Sequence, residues 1–444
     1  MSIFMMILAA LNPAYGEEPR VEIPFEKYEL SNGLDVILSP DHSTPVVYVS
    51  VWYHVGSKDE TTGLTGFAHL FEHLMFQGSL SHNDEYFGPL QEVGASINGT
   101  TSFDRTNYYE YLPSQHLPRA LFMESDRMGY LLEVLSQEKL DNQRDVVRNE
   151  RRQRYEDPPY GDVWGILGEH MYPVGHPYHH LPIGSHEDLQ AASLQTVKDF
   201  FTKWYAPNNA SLVVAGDFDI AQAKEMIEEY FGPVQRGKDP TRGEVAAASL
   251  AETKVVQRYD DVPERKLWMV WHSPSLYQPG DAELDLFSSV FGSGKDSRLY
   301  RELVREKKIA KSIAAYQMSG KLGSRYMIQA TASEGNTTEE MVVAIEAVLN
   351  ELLTDSPPTE NEIKAAKANY ELNFYQSQAT IQGKGETLQN YNMHRGTPDF
   401  IQQDLNRYLE ANTESVLDSA KSVLTQPRLE LHYLPNSDKE GGAQ

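Results

Sequence analysis

Gly66-Phe-Ala-His69-Leu-Phe-Glu72-His73-Leu-Met-Phe76 is the stretch from which the rest of the chain can be read. Its apolar residues recur at helical spacing, and Gly78 stops the helix just beyond it. His69 and His73 are four apart, so they share one helix face with a rise of about 6 Å and can converge on one metal ion. Glu72 borders the same face without being obliged to bind the ion. That places a carboxylate where a general base must stand. Phe67, Leu70, Phe71 and Leu74 surround these groups, which should therefore be largely buried. Buried charge is costly unless paired or metal-bound, and a metal is the simplest explanation. On these residues alone, a helix with two surface histidines remains the alternative.

The chain has 444 residues, more than one core usually serves, so two domains are expected. Its formal net charge is −25, from 64 acidic and 39 basic residues. That argues against nucleic acid, whose phosphates want a positive surface, and suits basic or neutral peptides; plain solubility would explain it as well. There is no cysteine, so any metal must be held by nitrogen and oxygen. The N-terminus is an apolar run ending in Ala14-Tyr15-Gly16, which resembles a secretory signal cleaved after Gly16. Its first residues carry no Lys or Arg, so an uncleaved anchor is the alternative. No later segment is apolar over 18 residues, so no stable membrane span is expected and export to a periplasm or beyond follows.

Upstream of the helix, residues 27–39 read as two strands joined by an Asn32-Gly33 turn, and 46–55 as a third strand. Downstream, a helix is expected over 84–92 and strands over 96–112 around a turn at 103–105. Helices follow at 118–132, 137–155 and 162–171, then a Pro/Gly/His-rich loop at 173–184. A helix at 194–205, a strand at 210–216 and a helix at 220–231 close the first half. The second half has a strand at 267–272, one long helix at 283–307 and strands within 313–332. Helices at 338–354, 359–378 and onward to 424 precede a last strand at 429–434. The similar order suggests duplication of one α+β unit. The expected organisation is a signal at 1–16, a metal-binding domain at 24–235, a linker at 236–253 and a homologous domain at 254–436.

Two histidines leave a hydrolytic site one protein ligand short. The helix at 137–155 offers Glu150, with Arg148, Arg151 and Arg152 close in sequence to keep it ionised. Simple pairing with those arginines on a solvated helix is the competing reading, and spacing does not separate the two.

His-x-x-Glu-His with a glutamate in an Asn149-Glu150-Arg151 context, 150 − 73 = 77 residues after the second histidine, resembles the pitrilysin/insulinase family of zinc metallopeptidases. The resemblance extends to Asn98-Gly-Thr-Thr101, to 206–219 and to 297–307. It implies one Zn2+ per chain held by His69, His73 and Glu150, with Glu72 as base. It implies a substrate-pairing strand where Asn98 and Thr100 meet the peptide. It also implies a fold of two related α/β-roll domains, each an antiparallel-rich sheet covered by helices, forming half of a clamshell. Family members often have a glutamate seven residues before the ligand glutamate; Gln143 stands there. They also place an Arg and a Tyr in the partner half to bind the scissile carbonyl. Arg305 matches the Arg, but Lys311 occupies the Tyr position.

At this length the chain resembles the half-length, processing-peptidase-like members, which pair two subunits around a closed chamber. A homologous second subunit is therefore expected, a heterodimer in preference to a homodimer. The function implied is zinc-dependent endopeptidase action on peptides or unstructured segments. The rival is a non-catalytic zinc-binding subunit. His176, His179 and His180 could in principle form a second metal site, but structure is the expected role of that loop.

Overall fold

In the computed structural model, residues 21–441 are described; the expected signal segment lies outside them. The Asn32-Gly33 signal is a turn. Gly33 takes a φ of 90°, and Asn32 Oδ1 accepts from the Leu34 amide. This pairs β1 (Glu26–Glu29) with β2 (Asp35–Pro40) antiparallel. With β3 (Val46–Tyr53), β4 (Ser96–Thr101), β5 (Thr106–Pro113) and β6 (Ala210–Gly216) they form a sheet of order β1-β2-β6-β3-β5-β4. The second sheet contains β7 (Lys254–Asp260), β8 (Lys266–Ser273), β9 (Ala310–Met318), β10 (Ser324–Ala332) and β11 (Leu429–Pro435), in the order β7-β11-β8-β10-β9.

The two sheets have the same topology. Matching β2 to β6 with β7 to β11 in sequence reproduces every neighbour, including the parallel pairs β2–β6 and β7–β11. The expected α+β duplication is thus present, with β1 as an addition to the first sheet. Two expectations need correction. β7 begins the second sheet at the expected domain start, although the sequence reading placed the first strand of that half at Leu267. The single helix expected over 283–307 is broken into α9 (Asp281–Phe291) and a π-helical turn at Tyr300–Glu306. Gly292-Ser-Gly294 lies between them, and Gly292 sits where a Cβ would meet Ala315 at 2.6 Å. Glycine lets the chain leave the helix and pass that close.

Helices cover both faces of each sheet. In the first half these are α1 (Phe67–Leu74), α2 (Phe87–Gln91), α3 (Leu117–Val134), α4 (Gln137–Arg151), α5 (Val163–Met171), α6 (His186–Ala191), α7 (Leu194–Trp204) and α8 (Ile220–Phe231). Beyond α9 come α10 (Thr338–Leu353), α11 (Glu360–Ser377), α12 (Ile381–Arg395), α13 (Ile401–Glu410) and α14 (Thr413–Leu424). Alternate residues of β3 go to opposite cores. Val47, Val49 and Val51 pack under the first-half helices, while Tyr48 packs against Ile381, Leu388 and Tyr391 of α12. The second sheet is treated in the same way: Leu267, Met269 and Trp271 face its own helices, and Trp268 and Val270 face Val163 and Leu167 of α5.

Each half therefore lends a helix to the other's sheet. Gln389 of α12 donates to the carbonyls of Ser50 and Ser211, at 2.9 and 3.1 Å. Asp162, just before α5, accepts from Arg258 at 2.7 Å and Tyr433 at 2.8 Å. Covering both faces explains why β3 and β6 read as continuous apolar runs. It also predicts that a fragment ending at residue 253 shows no cooperative thermal transition, because Ile37, Tyr48 and Val213 lose their cover; a sharp transition in calorimetry would refute this.

Candidate metal centre

Helix α1 starts at Gly66, which takes the left-handed φ of 88°. A Cβ there would meet the Ile183 carbonyl at 2.6 Å, so the 180–188 loop can lie directly over the start of the helix only because residue 66 is glycine. The first turn of any helix leaves amides unsatisfied. Here Glu60 reaches in from the preceding loop and accepts from Gly66 N at 2.9 Å and Ala68 N at 2.8 Å. His180 Nε2 lies 2.9 Å from the same carboxylate, and the Glu60 side chain is fully buried. The loop is pinned further by Asp188, which accepts from both the amide and the hydroxyl of Thr65.

The reason for this external cap emerges from α9, the matching helix of the second half. It too begins at a left-handed glycine, Gly280, with φ 92°. Its third residue, Glu283, folds back to accept from Gly280 N at 3.1 Å. Aligning the two glycines puts His69 where Glu283 stands. It also puts Glu72 and His73 where α9 has Leu286 and Phe287. A helix whose third residue is a histidine cannot close its own capping box, and Glu60 supplies the missing carboxylate.

So held, α1 packs on α4. His69 and His73 face Glu150, with Nε2 to Oε2 distances of 3.7 and 3.2 Å. The three candidate ligand atoms lie within 4.8 Å of one another, and they are the only such group of three among the described residues. Two imidazole nitrogens and one carboxylate oxygen match the three-protein-ligand set of hydrolytic zinc sites, which keep a fourth position open. That position would face a cavity of about 460 Å³ lined by these residues, Glu72, Asn98, Thr100, Thr101, Arg154 and Tyr155, among others. Burial, aided by the neighbouring His73, pushes the His69 pKa down to about 4, which keeps the imidazole neutral, as a metal ligand must be. Burial opposes ionisation of Glu150, but the hydrogen bond from His73 and the neighbouring Arg154 guanidinium hold its carboxyl below the usual range.

The cation on Glu150 is Arg154, 2.9 Å from Oε1. This corrects the expectation that Arg148, Arg151 and Arg152 surround it. Arg154 lies in the π-helical turn at Arg152–Glu156 that continues α4, four residues after Glu150 and so on the same helix face. Arg148 instead bonds Gln190, Arg151 the Gly184 carbonyl, and Arg152 Asn149. Glu150 is thus not the solvated partner of those three arginines. Gln143 is buried on α4 and donates to Asn142, outside the cavity lining.

Glu72 stands beside the three ligand atoms, and Thr101 donates to its Oε2 at 2.6 Å. Burial raises the Glu72 carboxyl above its ordinary range, against the opposing effect of that hydrogen bond. Gly99 makes the approach of β4 possible, since a Cβ there would lie 3.2 Å from Glu72 Cγ and 3.1 Å from Phe76 and Tyr108. Asn98 and Thr100 line the cavity from β4, the outer strand of its sheet. The Thr100 hydroxyl is already committed to Asn107, at 2.6 Å.

Arg305 and Lys311 do not line this cavity. Arg305 is half-exposed in the π-helical turn, 3.9 Å from Asp296, and Lys311 on β9 bonds Glu264 at 2.6 Å. The histidine-rich loop is structural: His176 stacks on Tyr172, His179 faces the Tyr172 carbonyl and His180 holds Glu60. Sequence reasoning missed Glu60, Gly99, Thr101, His180 and Arg154. A legible sign of Glu60 existed: a helix start with neither an N-cap side chain nor a glutamate three residues on.

Comparison with known proteins gives the following. Residues 35–161 match the family model described as Insulinase (Peptidase family M16), and 191–370 that described as Peptidase M16 inactive domain. The "Zinc protease PqqE" of Helicobacter pylori is 30% identical over 385 residues, covering 84% of this chain and 83% of the relative. The mitochondrial-processing peptidase subunit beta of Saccharomyces cerevisiae is 25% identical over 216 residues, 48% of this chain and 45% of that one. A crystal structure of a protease from Helicobacter pylori superposes with a TM-score of 0.86 at 25% identity, over 93% of this chain and 99% of that chain. The periplasmic protease PqqL from Escherichia coli has the same fold, with a TM-score of 0.77 at 17% identity; 96% of this chain covers 49% of PqqL.

Because Glu60 holds the start of α1, Glu60→Ala should weaken zinc binding by about ten-fold, the scale seen for groups that orient ligands from behind. Glu60→Gln, which keeps one acceptor, should lose less. Competition against a chromophoric chelator measures both, and equal affinity for wild type and Glu60→Ala would disconnect Glu60 from the centre.

Proposed function

The chain belongs to the insulinase family of peptidases, M16, and from that premise we propose that it is a zinc-dependent endopeptidase acting on peptides or unstructured segments. The observation that carries this reading is the convergence of His69, His73 and Glu150 within 4.8 Å, with Glu72 alongside. One zinc ion per chain is supported by the second half, where Glu283, Leu286 and Phe287 stand at the positions of His69, Glu72 and His73.

Zinc in such a site supplies a Lewis acid that polarises a peptide carbonyl and acidifies water. The protein's own part falls first to Glu72. Thr101 fixes one carboxylate oxygen, and Oε1 accepts no hydrogen bond from the described residues. Oε1 takes the proton of the attacking water and returns it to the leaving amine. The substrate lies extended along β4, whose free edge offers unpaired backbone groups beside Asn98 and Thr100. Arg154 keeps Glu150 anionic and oriented.

A second subunit completes the enclosure, a non-identical homologue in preference to a copy of the same chain. This is supported by the match to one half of PqqL and by the position of Arg305, which lies outside the cavity of its own chain. Either Arg305 of a partner, with or without Lys311, or a complete Arg/Tyr pair of a different partner would face the scissile carbonyl. An exported, periplasmic or secreted, protein is supported by the apolar run ending at Gly16.

Glu72→Gln should retain zinc stoichiometry while slowing cleavage of a quenched peptide by about 10²- to 10⁴-fold, the range of general-base contributions. His69→Ala should lose both metal and activity. Metal analysis beside the cleavage assay checks the pair. Undiminished cleavage by Glu72→Gln would refute the assignment of the base, and absence of cleavage by wild type with bound zinc would favour a non-catalytic subunit.

A further inference from the structure

A second cavity, of about 370 Å³, opens where the two halves meet. Trp52, Phe103, Tyr172 and Tyr178 form aromatic walls, and Arg105 and Arg325 bring two guanidinium groups. Arg325 is only 7% exposed. Its guanidinium lies 6.0 Å over the Phe103 ring, and it has no hydrogen-bond or ion-pair partner among the described residues. The chain's other buried arginines do not stand this way: Arg127 pairs with Glu124 and Arg144 with Asp141. The Arg325 nitrogens are not sealed as Arg127 Nη1 and Arg144 Nε are, so they open to the cavity, where an anion would meet a guanidinium without a fixed counter-charge.

Arg105 stacks 4.8 Å over Trp52. Its hydrogen bonds go to neutral acceptors, the Thr100 carbonyl and Asn107 Oδ1. The single carboxylate in the lining, Asp104, is already engaged. It accepts from the Tyr178 hydroxyl at 2.8 and 2.9 Å and from the Lys321 amide at 3.1 Å. In the cavity lining the two guanidinium groups outnumber the one carboxylate; Glu386 and Glu72 act on Arg105 from outside it, which leaves Arg325 as the guanidinium without a counter-charge.

We infer that this cavity binds a carboxylate of the peptide substrate, through Arg325 with Arg105. The inference rests on the reading of β4 as the strand that pairs with substrate. Ser102, one residue beyond β4, begins the cavity wall. An extended peptide advances about 3.3 Å per residue, so a chain crossing the metal centre at Asn98 reaches Ser102 about four residues, or ~13 Å, later. A carboxylate at that distance arises either from an Asp or Glu side chain or from the C-terminus. Either satisfies Arg325, and Arg is suited to bind it bidentately.

The test uses fluorescently labelled nonapeptides and full-length zinc-loaded Glu72→Gln protein, so that binding is read without cleavage. One peptide is neutral and amidated; a set carries a single Glu moved along the amidated sequence; one is neutral with a free C-terminus. Anisotropy should show about ten-fold tighter binding for Glu at one position, or for the free acid, in line with a charge-assisted hydrogen bond. The arm that gains identifies the source of the carboxylate. Arg325→Met should erase the difference between acidic and neutral peptides, and Arg325→Lys should restore part of it. Equal affinity for all peptides, or a difference that survives Arg325→Met, overturns the subsite. Cleavage of the neutral peptide by wild type under those outcomes would leave the peptidase reading intact, whereas failure to bind or cleave any peptide would overturn both.

Discussion

The start of α1 is the constraint on which the rest of the site depends. Two imidazoles must leave one helix face toward Glu150, and the third residue of that helix is one of them. That choice removes the residue with which the related helix α9 caps itself. The amides of Gly66 and Ala68 then need an acceptor from elsewhere, and a buried amide left without one costs on the order of 1–3 kcal/mol. Glu60 satisfies both, His180 steadies Glu60, and the 180–188 loop closes over the pair through the two glycines 66 and 184. The histidine-rich loop, far from any ligand role, belongs to the support of the centre.

Duplication explains both what the second half shares and what it lacks. The sheets agree strand for strand, and the helix after the second strand of each unit begins in the same left-handed glycine. In the second half the corresponding positions carry Leu286 and Phe287, which are buried in that half's own core. One unit therefore carries the candidate metal ligands, and the other carries apolar core at the same positions. The exchange of α12 and α5 between the sheets ties them into one body, since neither sheet has both faces covered by helices of its own half alone.

Much of this was legible because the periodic signals are local. The Asn32-Gly33 turn, the strand over Ala210–Gly216 and the helix over Ile220–Phe231 follow from neighbours in sequence, and all stand where they were expected. His69, Glu72, His73 and Glu150 were found from spacing and resemblance, and the chain brings them together. What failed to show was non-local. β7 is outer and half-exposed, so its alternation is weak, and it is held by a strand 175 residues on, as Leu429 pairs with Lys254 (429 − 254 = 175). The break at Gly292 answers to Ala315 on β9, the strand against which the end of α9 packs. Arg154 stands four residues after Glu150, the ordinary helical pairing distance, and was passed over because the arginines nearest in sequence, Arg148, Arg151 and Arg152, drew the reading instead. Thr101 was passed over for Thr100 because strand alternation alone does not say which face meets α1.

The edge strand supplies the last link between fold and assembly. β4 is only six residues long and carries Ser96, Asn98, Gly99, Thr100 and Thr101. A short, polar outer strand with little apolar surface is how a sheet keeps an unpaired edge from joining others. Yet this edge lies against the cavity that holds Glu72, and its Gly99 is where side-chain bulk would push into that carboxylate. The same features that discourage promiscuous pairing leave the edge open to that cavity, where the proposed extended peptide would pair. Selectivity then has to come from around the edge. Along its length the proposed source is the pair of guanidinium groups in the cavity beyond Ser102. A candidate metal centre beside an open strand edge is the physical ground on which the proposed pairing with a second subunit rests.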